Sequence, residues 1–195
     1  MSERFRTVLL FGTPGVGKGT QGKILGTIPG FYHCASGDIF RNIDAESELG
    51  RIFHDYSTRG ALVPDEVTVR MWGQFMEDVG SRGDFDRATD LLLLDGIPRT
   101  TEQAKLLDPH IEVLKIVHLT CTDQEAMVQR LRKRALEQNR HDDADENVIR
   151  HRWTVYERHT HPLLAHYKRS LIAKVDAMGT PAQVLRNVLD VLPNQ

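Results

Sequence analysis

Cysteine is scarce in this chain. Its 195 residues include two, Cys34 and Cys121, far apart and in neither a CxxC pair nor a zinc-ribbon spacing, so neither a disulfide framework nor a cysteine-based metal site is implied. A reducing compartment is the expectation. No apolar run approaches the length of a membrane span, and MSERFRTVLLFG has too short an apolar stretch for a signal peptide, so a cytoplasmic protein without a membrane partner is expected. The formal net charge of -2 lacks the positive excess that a general nucleic-acid or anionic-membrane partner would require. Any basic site must therefore be local. Lysine is sparse as well, with 7 lysines against 18 arginines, and two readings follow: a preference for bidentate phosphate binding, or the codon bias of a GC-rich genome. Repeats and low-complexity tracts are absent. What remains, 40% hydrophobic and 27% charged residues, suffices for one well-buried core.

Short apolar runs alternate with segments of helical period, the pattern of a parallel sheet with crossover helices. The expected strands are residues 7–11 (TVLLF), 32–36 (YHCAS), 91–95 (LLLLD), 114–120 (LKIVHLT) and 171–176 (LIAKVD). Helices are expected at 18–27, 38–59 with a break, 65–80, 101–107, 123–135, 146–170 and 180–192. LLLLD reads as a strand buried on both faces. Two segments exceed a minimal alternating fold: the mostly helical stretch between the second and third strands, and the polar ALEQNRHDDADEN. Open α/β sheets place substrates beside insertions of this kind, so both are candidate lids.

The first strand runs into GTPGVGKGTQ (12–21) and then into a helical pattern, the context of a phosphate-binding loop. Gly12, Gly15 and Gly17 permit backbone angles closed to other residues, so successive amides can turn toward phosphate oxygens. A helix N-terminus adds partial positive charge and Lys18 a full one. The usual Ser or Thr after the lysine is replaced by Gly19, with Thr20 following. None of the five asparagines begins the NKxD motif of a switch GTPase.

HCASGDIFR (33–41), GALVPDE (60–66) and LDGIPRTTEQ (94–103) follow that loop in order, and RLRKR (130–134), NRHDD (139–143) and IRHRWTVY (149–156) continue the series. With these motifs the chain resembles the adenylate kinase family of nucleoside monophosphate kinases over nearly its whole length. GKGT is that family's own form of the loop. The resemblance implies an α/β fold of three layers, with a parallel five-stranded sheet, a helical AMP-binding insert at about 35–64 and a short lid at about 134–145. It implies reversible phosphoryl transfer from MgATP to AMP, with ATP, AMP and ADP as the partners of a single-domain monomer.

Residue by residue, the resemblance implies that Lys18 and the amides of Gly15, Val16, Gly17, Gly19 and Thr20 hold the ATP phosphates. Arg130 and Arg134, four apart on one helix face, would face ATP, and the Gly179 backbone would meet its adenine. Arg41 and Arg99 would grip the AMP phosphate, while Arg140 and Arg152 would bridge the phosphates of both substrates. Ser36, Ala61, Leu62, Val63, Gly96, Ile97 and Pro98 would complete the AMP pocket. Gln103 would read adenine, because its amide can both donate and accept; pyrimidine monophosphate kinases, the alternative, usually carry asparagine there. Asp95 would orient a hydrated magnesium ion, with no protein atom bound to the metal directly. A silent nucleotide-binding protein is the reading from another class, and the joint presence of Lys18, Asp95, Arg41 and Arg99 argues against it.

Three departures stand out. Ile97 replaces a usual phenylalanine and Ser36 a common threonine, each keeping its chemical type. The spacing from Arg140 to Arg152 is one residue longer than usual, and ADEN is expected to absorb the difference, since otherwise His151 would take the place of Arg152. Only five residues separate Arg134 from Arg140, too few for a zinc-bearing or hairpin lid. The nine histidines are expected on a solvated helix face.

Overall fold

A computed structural model of the chain describes residues 4–59, 61–138, 143 and 145–193. Five parallel strands form one sheet: β1 (Phe5–Phe11), β2 (Phe31–Ala35), β3 (Leu91–Asp95), β4 (Ile111–Thr120) and β5 (Ile172–Asp176), in the spatial order β2-β3-β1-β4-β5. Among the described residues eight α-helices accompany it: α1 (Lys18–Leu25), α2 (Ser36–Arg41), α3 (Glu48–Thr58), α4 (Asp65–Arg82), α5 (Thr101–Leu107), α6 (Gln124–Gln138), α7 (Glu146–Val155) and α8 (Pro181–Leu189). The expected α/β class with a five-stranded parallel sheet is what the chain adopts.

Strand periodicity explains the layering. Successive strand residues face opposite sides, so Leu92 and Leu94 of β3 join Leu9 of β1 in a cluster with Trp72, Met76 and Val79 of α4 and Leu107 of α5. Leu91 and Leu93 join Val8 and Leu10 in a second cluster with Leu25 of α1, Met127 of α6 and Val184 and Val188 of α8. Every residue of β3 is buried, as its unbroken apolar run requires.

Register then positions the site. Asp95, the last residue of β3, lies opposite Leu10 of β1 and Ala35 of β2, so the loops leaving these strands emerge together at the carboxyl edge.

Several element boundaries differ from the sequence reading. Ser36 opens α2 instead of ending β2, and β4 begins three residues earlier than the apolar run, at Ile111. The expected helix over 146–170 is three kinds of helix in succession: α7 passes into a π-helical turn, Tyr156–Thr160, and then into 3-10 turns at Pro162–His166 and Arg169–Leu171. Pro162 lacks the amide that an α-helix would need, and it sits at the first turn of the new segment. The histidines are not all solvated either. His118 on β4 is buried, its Nε2 3.2 Å from the Tyr156 hydroxyl; burial first, then His161, Lys174 and Lys18, lower its pKa to about 4.

Candidate active site

One cleft of about 540 Å³ opens at the carboxyl edge of the sheet, and the segments singled out by their motifs line it. From the first loop come Gly15, Val16, Gly17, Lys18, Gly19 and Thr20. α2 and the segment before α4 contribute Ser36, Arg41, Ala61, Leu62 and Val63, and the turn after β3 contributes Asp95, Gly96, Ile97, Pro98, Arg99 and Gln103. α6 and α7 supply Arg130, Arg134 and Arg152, and the segment before α8 supplies Gly179. Arg140 lies outside the described residues, as do Gly60 and residues 139, 141, 142 and 144 of the polar segment.

The loop has the geometry its glycines permit. Gly12, Gly15 and Gly17 all have positive φ, at 142°, 87° and 107°, and Gly17 is the residue from which α1 starts. Close approach adds to this: a Cβ would stand 2.5 Å from the Leu119 carbonyl oxygen at Gly12 and 2.9 Å from the Met127 carbonyl oxygen of α6 at Gly15. Lys18 Nζ donates to the carbonyls of Gly12 (2.6 Å) and Thr13 (3.2 Å). Burial lowers its pKa from 10.5 to about 8; Asp95 opposes the shift, and Arg99, Arg134 and Arg152 add to it.

The residues expected to form the AMP pocket converge on the turn after β3. Gly96 has φ 86°, and a Cβ there would come within 2.6 Å of the Ser36 hydroxyl and 3.2 Å of Arg99 Nη2. Arg99 Nε donates to the Gly96 carbonyl at 2.6 Å, and Arg41 Nη2 to Asp38 Oδ1 at 2.5 Å. Ser36 Oγ is buried without a hydrogen-bond partner, a polar group available to a ligand. Gln103 is oriented within the same turn. Its Oε1 accepts the Arg99 backbone N–H at 2.7 Å, which leaves its Nε2 donors and the oxygen's second lone pair for a base.

Near the phosphate loop, the Asp95 carboxylate lies 3.7 Å from His33 Nε2. A Cβ on Gly19 would stand 3.6 Å from Asp95 Oδ2, so a longer side chain would enter the space before that carboxylate. A carboxylate beside open space and a hydroxyl at Thr20 are oxygen donors of the kind a hard cation takes.

α7 is in phase to present Arg152. Asp145 caps the helix, its Oδ1 accepting from the Asn147 N–H at 2.8 Å, and the helix restarts there whatever the length of the preceding loop. Arg152 lines the cleft while His151 is exposed.

Sequence reasoning missed the residue that joins these arginines. Asp143, fully buried, accepts from Arg134 Nε on one oxygen and from Arg152 Nη1 on the other, each at 2.6 Å. Its signal was present in NRHDD, two carboxylates within an arginine-rich stretch. Thr160 was missed as well: its hydroxyl donates to the Arg99 carbonyl at 3.0 Å and ties the π-helical turn to the turn after β3.

The arrangement can bind polyanions from two sides and neutralise charge between them. Comparison with known proteins agrees. The family model described as adenylate kinase matches residues 10–172. The adenylate kinase of Thermobifida fusca (strain YX) is 39% identical over 194 residues, covering 96% of this chain and 98% of its own. Those of Flavobacterium psychrophilum, 37% identical with 96% and 98% covered, and Leifsonia xyli subsp. xyli, 40% identical with 95% and 92% covered, are similar to it along the same length. With its sheet order, its glycine loop and these full-length relatives, the chain belongs to the adenylate kinase family.

Proposed function

We infer that this kinase transfers the γ-phosphoryl group of MgATP to AMP, reversibly, giving two ADP. The observation that carries the reading is the convergence of Lys18, Asp95 and Arg41, Arg99, Arg130, Arg134 and Arg152 on one cleft. Phosphoryl transfer needs little covalent help; it needs in-line positioning and neutralisation of charge spread over several oxygens.

In this reading the amides of Gly15 to Thr20 and Lys18 hold the ATP phosphates, with Arg130 and Arg134 beside them and the Gly179 backbone at the adenine. Arg41 and Arg99 hold the AMP phosphate. Arg152, with Arg140, spans the two. Asp95 would hold the hydrated magnesium ion that accompanies ATP, and when bound the ion neutralises phosphate charge. The helical segment at 35–64 and the short lid at 134–145 close over the substrates, excluding water that would otherwise compete as acceptor. A monomer is the proposed state, and two free thiols suit the reducing cytoplasm.

Acceptor choice follows from Gln103. With its oxygen oriented by the Arg99 N–H, the amide can donate to the N1 of adenine and accept from its N6–H, whereas the N1–H of guanine and the N3–H of uracil present a donor to a donor. An acceptor panel is expected to show ADP formation with AMP far exceeding turnover of GMP, UMP and CMP. Activity confined to CMP or UMP would overturn the reading in favour of a pyrimidine monophosphate kinase.

The lowered Lys18 value sets a pH dependence. Since the protonated amine binds phosphate, kcat/KM for ATP should fall as pH rises through about 8, steepening toward about tenfold per pH unit. Stability moves the other way: the cost of burying the ammonium is fully present below about 8 and is relieved as pH climbs toward 10.5. Initial rates at subsaturating ATP test this, and a profile flat through that region would remove Lys18 from the titration.

A further inference from the structure

Trp153 follows Arg152 on α7 and has no part in the roles assigned above. Its indole N–H donates to the Pro14 carbonyl of the phosphate loop at 3.1 Å. The ring packs against two apolar clusters at once, one containing Val16 and Met127, the other Val128, Leu131 and Ile149. It therefore joins the arginine-bearing helices to the loop.

Thr13 to Val16 form a tight turn, closed by the Val16 N–H donating to the Thr13 carbonyl at 3.2 Å. Proline at its second position and a glycine of φ 87° at its third mark it as type II. A Pro-Gly pair also accepts the type I turn, which differs by a flip of the central peptide plane. The carbonyl and N–H of a trans peptide point in opposite directions, so that flip would reverse the Gly15 N–H. Neighbouring loop carbonyls, those of Gly12 and Thr13, are held by Lys18, whereas the Pro14 carbonyl is held from α7.

We propose that Trp153 is a positioning residue that fixes the Pro14–Gly15 peptide plane and so aims the Gly15 amide for the ATP phosphates. The inference rests on the assignment of ATP to this loop. It links Arg152 and the loop through adjacent residues of one helix, so that both reach the phosphates in one arrangement.

Trp153→Phe keeps an aromatic ring and removes the donor. The variant is expected to lose about tenfold in kcat/KM for ATP, the loss of roughly one hydrogen bond, with kcat and the KM for AMP within about twofold of wild type. In 15N spectra of the full chain without nucleotide, the Gly15 amide resonance should move from its wild-type position. In the wild-type protein, the Trp153 indole resonance should shift on adding ATP and stay fixed on adding AMP, a measurement that requires no variant to fold. Equal losses for ATP and AMP, an unmoved Gly15 amide, or an indole resonance indifferent to ATP would each overturn the proposal. A wild-type protein that forms no ADP would instead refute the assigned function, while the Gly15 resonance would still decide the positioning claim.

Discussion

Replacing Lys18 by methionine is expected to lower ADP formation by about three orders of magnitude without unfolding the protein. Methionine matches the length of the lysine stem, so the loop keeps its packing and loses only the charge that meets the phosphates. The fold should not suffer, because the ammonium is held at a cost: burial pulls its pKa to about 8, and three arginines oppose its charge. The thermal midpoint near neutral pH is therefore expected to stay level or rise. Rates with ATP and AMP, measured beside thermal unfolding, check both halves. Turnover within about tenfold of wild type would remove Lys18 from the chemistry, and a collapse of the midpoint would make its role structural.

Asp143→Ala should cost about 100-fold in kcat with a smaller effect on stability. The carboxylate is buried while both guanidinium groups reach water, Arg134 at 30% and Arg152 at 17% side-chain exposure, so these can resolvate once released. Breaking a fully buried pair costs about 3–5 kcal/mol, and the partial exposure here places the penalty below that range. In the proposed roles catalysis is less forgiving, since two like charges then repel where both would meet substrate phosphates. Asp143→Asn keeps an acceptor and should fall between wild type and alanine. A kcat unchanged in the alanine variant would show that other contacts position the arginines.

The fold was legible because β3 and the glycine loop state their roles locally. Four leucines ahead of Asp95 admit little besides a strand covered on both faces, and the glycine spacing announces its turn wherever it occurs. The site was legible as far as its motifs reached. What stayed hidden depends on neighbours distant in sequence. The commitment of the Gln103 oxygen to Arg99 follows from a turn geometry, and Asp143 meets Arg134 and Arg152 only once α6 and α7 stand side by side. The end of α7 was misread because helical period continues through YERHT, where a five-residue turn conceals the change of hydrogen bonding. Trp153 gave no local sign that its indole serves Pro14.

That π-helical turn determines where the chain can change length. Ahead of α7, residues can be gained or lost, because the Asp145 cap resets the helix and Arg152 keeps its phase. Between Arg152 and Thr160 there is no room for another residue. The π-helical turn already holds one more than an α-helix of the same rotation, and a further insertion would rotate everything beyond it by about 100° and carry the Thr160 hydroxyl away from the Arg99 carbonyl. Insertions among descendants of this sequence should therefore gather before Asp145 and spare the eight residues from Trp153 to Thr160.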